Sequence, residues 1–131
     1  MNTKLRTLPV RDYLDIGLSV AGIRIERNPQ PGYQLEFRLR MHNKNDSSIR
    51  LEGRKWIMKE RGGNTRIVEA ATIFNQLPVL TPGAVFSYGG CQKFATPPLS
   101  VELSFFGTDS RNRPFITPPF LFPRRAYSLP W

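Results

Sequence analysis

The sequence is poor in the residues that carry most protein chemistry. It holds one cysteine, Cys91, and one histidine, His42, in 131 residues. A single thiol excludes an intrachain disulfide, and one thiol with one imidazole cannot build a His/Cys metal site of the usual spacing. A Cys–His nucleophile pair has no local support: His42 stands in the turn-like run HNKNDSS and Cys91 follows Gly89-Gly90. No stretch approaches the ~18–20 apolar residues of a membrane helix. The N-terminal MNTKLRTLPVRDYLD carries charges but no apolar core of a secretory signal. A glycine-rich phosphate loop ending in Gly-Lys is missing as well. These absences set the expectation of a cytoplasmic protein with no membrane contact, metal or cofactor. Acids are also scarce, ten against 19 Lys and Arg, for a net charge of +9. Glu60, Glu69, Glu102 and Asp109 are scattered among separate turns and strands. They read as solvated carboxylates and offer no catalytic pair, so no catalytic residue is expected.

What is present points to β structure. Twelve prolines and ten glycines are dispersed and fall short of the ~25–30% of low-complexity chains. A chain of this length buries roughly two thirds of its unfolded surface and needs no staple to fold. Tyr33, Leu35, Phe37, Leu39 and Met41 alternate with Gln34, Glu36, Arg38 and Arg40, the mark of a half-buried strand. His42–Ser48 supplies a turn, and Ile49–Met58 reads as the returning strand. Its alternation breaks after Gly53, which predicts a bulge near Gly53 or Arg54. A hairpin symmetric about Asn45 would set Arg38 opposite Glu52, Glu36 opposite Arg54 and Arg40 opposite Arg50.

Further strand patterns lie at Ile16–Arg27, with a kink expected at Ala21-Gly22, and at Val85–Tyr88, ended by Gly89-Gly90. Leu99–Phe105 alternates cleanly. Arg113–Phe122 carries Pro114, Pro118 and Pro119 and so must be an edge strand or one broken by a bend. Arg66–Leu77 fits either a strand with a loop or a short helix. About seven short strands with turns every ~8–12 residues indicate an antiparallel sandwich or barrel.

The residues also carry a family pattern. Arg54-Lys55-Trp56-Ile57 before a Gly-Gly turn, then Val68-Glu69, then Gln76-x-Pro78-x-Leu80-x-Pro82-Gly83-x-x-Phe86-x-Tyr88 resemble the motifs of ApaG domains. Phe115-x-x-x-Pro119-x-Leu121 fits the family's closing segment loosely. The resemblance runs from about Asp15 to Phe122 and implies an immunoglobulin-like or fibronectin type III-like β-sandwich over residues 15–123. Residues 1–14 and 124–131 would then be tails, and Arg66–Leu77 a strand with a loop. It further implies a small bacterial protein with no established enzymatic reaction, a protein-interaction setting, and a loose link to divalent-cation homeostasis. The family often has G-x-G-x-x-G after its Val-Glu, where Ala70, Thr72 and Asn75 stand here. Without those glycines the backbone cannot close on a phosphate, so no nucleotide site is expected there.

Two surfaces are candidates for contact. Arg38, Arg40, Arg50 and Arg54 would share one outer sheet face suited to an anionic partner, an acidic protein or, as the alternative, nucleic acid. The competing reading is a solvated face partly neutralised by Glu36 and Glu52. Trp56 reads as a core residue. Phe120 and Phe122 would form a protein-contact edge, open to an unidentified partner or to a second copy in a homodimer.

Overall fold

In the computed structural model, which describes residues 8–27, 31–73 and 77–127, the polypeptide forms nine strands in two antiparallel sheets. They are β1 (Leu14–Glu26), β2 (Gly32–Asn43), β3 (Ile49–Glu60), β4 (Thr65–Ala71), β5 (Val79–Leu80), β6 (Val85–Phe94), β7 (Pro98–Asp109), β8 (Pro114–Ile116) and β9 (Phe120–Leu121). One sheet runs β1-β2-β6. The other runs β4-β3-β7-β8, with β5 on β3 and β9 on β7. The fold is therefore an all-β antiparallel sandwich. No helix among the described residues is long and apolar enough to cross a membrane.

The alternation in β2 is as the sequence reads: Leu35, Phe37, Leu39 and Met41 are buried and Glu36, Arg38 and Arg40 exposed. Its partner is not. β2 pairs with β1 and β6, and β3 pairs with β4, β5 and β7, so the expected hairpin about Asn45 does not form. The turn exists, but it carries the chain from one sheet to the other. Asn43, fully buried, organises it. Its Nδ2 donates to the carbonyls of Leu80 at 2.9 Å and Ser47 at 3.1 Å, and its Oδ1 accepts from the Asn45 amide at 2.9 Å. A buried amide satisfied this way fixes a sharp crossover.

The bulge in β3 is real. The register with β7 slips between Leu51 and Gly53, so the inward face changes from Ile49 and Leu51 to Arg54, Trp56 and Met58. Gly53 lies outward, where any Cβ would strike the Phe106 ring and the Ala70 carbonyl. Trp56, completely buried, meets Phe37 of the opposite sheet edge-to-face at 5.3 Å, and Phe122 and Tyr88 complete the ring cluster.

Of the other expectations, those for the kink in β1 and the end of β6 are corrected. β1 slips between Leu18 and Val20, not at Ala21-Gly22. β6 does not end at Gly89-Gly90 but continues to Phe94 in unbroken register with β2. Arg66–Ala71 lies in a strand. The prolines bend the last segment between β8 and β9 as anticipated. The supposed tails are partly fastened. Val10 bridges to Ile116, Tyr13 packs on Phe115, and Arg124–Ala126 forms a 3-10 turn that leads into buried Tyr127.

Asp109, read from sequence as solvated, is instead a buried fastener between the β7–β8 turn and the N-terminal segment. It accepts from the amides of Arg111 and Arg113, from Arg113 Nε at 2.8 Å and from the Tyr13 hydroxyl at 3.1 Å. Burial alone would raise its pKa, but these donors together hold it at about 2, against an ordinary 3.8. A carboxylate depressed on folding contributes stability that is complete above its unfolded pKa and is lost as pH falls through the folded value. Denaturation of wild type and Asp109→Asn across pH should show the variant less stable at neutral pH. That difference should shrink from pH about 3.8 down to about 2. A difference that does not vary with pH would contradict the assignment.

Candidate functional site

The four arginines expected on one face occupy three environments. Arg38 and Arg40 project from the outer face of the three-stranded sheet. Arg50 is exposed on the outer face of the opposite sheet. Arg54 faces inward, because the bulge places it on the same side of β3 as Trp56. The expected common face is thus corrected: its geometry required a β2–β3 hairpin, and the crossover at Asn43 removes it. The neutralising pairs go with it. Glu36 lies 3.7 Å from Arg24, and Glu52 accepts from the Thr108 hydroxyl at 2.8 Å.

Arg54 closes the side of the sandwich where β4 faces β6. Its Nη1 donates to the Thr72 carbonyl at 2.6 Å and its guanidinium lies 5.9 Å from the Tyr88 ring centre. Arg66 does the same six residues further along β6. It donates to the Lys93 carbonyl at 2.6 Å and sits 5.3 Å from the Phe94 ring centre. Both are half-buried. An arginine suits this task because its planar head covers a ring while its edge reaches a carbonyl. Burial pushes the Tyr88 phenol above its ordinary pKa, with the Arg54 charge pulling the other way.

Thr72 stands where the family pattern often has its second glycine, and its φ of 67° lies in the left-handed region. A β-branched residue there is strained. The backbone is held by Arg54 at its carbonyl and by the Glu52 carbonyl, which accepts from the Thr72 amide at 2.7 Å. Asn75 lies outside the described residues.

The Phe120–Phe122 edge is also corrected. Phe122 is buried against Phe37 and Trp56, and Phe120 is half-buried and packs on Phe122. The proline bend turns both rings toward the core and leaves Leu121, 62% exposed, as the outward residue of β9.

The face that remains is the outer side of β1-β2-β6. Arg38 lies between Val20 and Gly89, and Arg40 between Gly17 and Ser87. Gly17, Ser87 and Gly89 are small, and both guanidinia are exposed beside them. Two shallow hollows flank them, about 700 Å³ beside Gly17, Ser19 and Arg40 and about 520 Å³ beside Arg38, Ser87 and Gly89. Neither Arg38 nor Arg40 makes an ion pair among the described residues. His42 lies at the end of the row, 3.8 Å from Asp15. No group of three metal-ligating side chains lies together among the described residues. Cys91 is exposed on the same face, opposite Glu36.

A family model for the ApaG domain matches residues 25–106. The chain belongs to the ApaG family. It is 29% identical over 96 residues to Protein ApaG of Acidovorax sp. (strain JS42), covering 73% of this chain and 70% of that one. Protein ApaG of Methylococcus capsulatus is 26% identical over 120 residues, 86% of this chain and 95% of its own. In fold, this ApaG domain is similar to a putative ApaA protein from Bordetella pertussis, with a TM-score of 0.67 and 21% identity over 87% of this chain and 94% of the other.

The two arginine environments predict opposite behaviour. Arg66→Ala and Arg54→Ala should each destabilise by ~1–3 kcal/mol, losing a charged hydrogen bond and a ring contact. Arg38→Ala and Arg40→Ala should stay within ~0.5 kcal/mol. Urea denaturation of the four variants decides it; equal effects at all four positions would refute the distinction. Thr72→Gly relieves a left-handed conformation that costs ~1–2 kcal/mol for a side chain with Cβ. Its melting temperature should rise, and a fall would show that the side chain contributes more than its strain costs.

Proposed function

We infer that this ApaG domain is a non-enzymatic binding module whose partner is an acidic protein surface met by Arg38 and Arg40. The observation that carries this reading is the isolation of those two guanidinia. They are exposed, lack carboxylate partners among the described residues, and stand between strands lined by Gly17, Ser87 and Gly89. An unpaired arginine row is a recognition surface for carboxylates, since the planar fork binds them in bidentate fashion. Nucleic acid is the alternative anion. It is the weaker one, because among the described residues the outer face of β1-β2-β6 presents no phenylalanine, tyrosine or tryptophan ring on which a base could stack: Trp56 is in the core.

The test uses fluorescent polyglutamate and single- and double-stranded oligonucleotides of matched charge, with anisotropy measured against salt. Polyglutamate should bind at low salt, and Arg38→Glu with Arg40→Glu should weaken it at least tenfold. Arg50→Glu, on the opposite sheet, should leave it unchanged. Equal loss with Arg50→Glu would reduce the effect to net charge. Tighter oligonucleotide binding, with log K falling ~0.7–0.9 per phosphate contact, would transfer the face to nucleic acid.

A further inference from the structure

We propose that the acidic partner is held as an added strand on the free edge of β6, with its carboxylates reaching across Ser87 and Gly89 to Arg40 and Arg38. This rests on the reading of the Arg38/Arg40 face given above. Sheet edges are normally protected by bulges, prolines, charges or covering segments, because their unpaired N–H and C=O groups template another strand. β1, the opposite edge of the same sheet, has such protection. It bulges between Leu18 and Val20 and bears Asp15 and Glu26, and Val20, 61% exposed, stands beside Arg38.

β6 has almost none. It runs ten residues in unbroken register with β2, contains no proline and no carboxylate, and carries only Lys93 at one end. Among the described residues no other strand pairs with its outer side. Among the described residues, Arg66 donates to the Lys93 carbonyl on that side. That bond fixes which residues face outward. Backbone groups alternate in direction along a strand, so Cys91, Gly89 and Ser87 point theirs away from β2, as Lys93 does. An open cleft of about 340 Å³ lies between this edge and Thr72 with Arg54.

The side chains of Cys91 and Ser87, with the bare Cα of Gly89 between them, lie on the arginine face, opposite Glu36 and Arg40, and Gly89 lies opposite Arg38. A Cβ on Gly89 would come within 3.7 Å of the Arg38 Cβ, so glycine keeps the path from the edge to Arg38 low. Alternate residues of an extended peptide repeat every ~6.8 Å, the same repeat as Arg38 and Arg40 on β2. The fitting ligand is therefore an extended peptide with Asp or Glu at every second position, main chain on β6 and carboxylates on the arginines. A second copy of this chain fits worse. Edge-to-edge pairing of two β6 strands would set two unpaired arginine rows side by side on a protein of net charge +9.

The probe is a fluorescent hexapeptide with glutamate at alternate positions and threonine between, compared with the same peptide N-methylated on alternate amides. Cys91→Pro removes an outward N–H without removing a bond to β2. N-methylation in the edge-facing phase and Cys91→Pro should each weaken binding at least tenfold, as should Arg38→Glu with Arg40→Glu. Should the arginine variant lose binding while both methylated phases and Cys91→Pro bind as before, strand addition is overturned and the arginine reading stands. Unchanged binding by the arginine variant overturns both. A dimer in solution that Cys91→Pro dissolves, without peptide binding, would assign the edge to a second copy and overturn the proposal. If Cys91→Pro does not fold, the methylated peptides decide alone.

Discussion

The edge-to-face contact of Phe37 with Trp56, 5.3 Å between ring centres, joins the two sheets, and much of the surface follows from it. To put Trp56 inside, β3 must reverse its phase after Leu51, which the bulge before Gly53 achieves. The reversal carries Arg54 inside with Trp56. A guanidinium cannot be left in that position unpaired, since a desolvated charge without partners costs several kcal/mol. The Thr72 carbonyl and the Tyr88 ring answer that need, and the strained Thr72 is held in place by the same bond. Phe122 then fills the space beside the same pair of rings, which removes it from the surface.

How far the sequence could be read depends on what kind of information each element needs. The inward and outward sets of β2 were legible, because period two is a property of the strand alone. The proline bend before Phe120, the bulge near Gly53 and the core position of Trp56 were legible for the same local reason. The partner of β2 was not. Two consecutive antiparallel strands joined by a short polar turn show the same alternation whether they pair in one sheet or face each other across two. The deciding residue, Asn43, acts through Leu80, 37 positions away. The arginine face inherits that ambiguity: of its four members Arg38 and Arg40 share one outer face, while Arg50 and Arg54 lie elsewhere. Gly89-Gly90 does not end its strand: paired glycines usually punctuate, whereas here the ladder with β2 carries them through.

Arginine is used in two distinct ways, and composition cannot separate them. Arg54 and Arg66 each trade hydration for a carbonyl and a ring, so they act as closures between sheets. Arg38 and Arg40 keep their hydration and point at nothing the described part of the chain provides. Only burial and hydrogen-bond partners distinguish the pairs. A net charge of +9 is therefore a poor guide to where any binding surface lies. Part of the cationic content is structural.

The same net charge bears on the open edge of β6. A strand of ten residues that is paired on one side alone among the described residues invites pairing between copies. Strand-by-strand protection, as in β1, would block that pairing and equally block any peptide. Long-range repulsion discriminates where capping cannot: a molecule of net charge +9 repels its own copies while attracting an acidic chain. In the proposed binding mode the selectivity would weaken as salt screens the field beyond ~8–10 Å, and at contact it would pass to Arg38 and Arg40, whose forked heads a second copy could not match with its own. An edge left free in sequence is thus guarded by charge against itself.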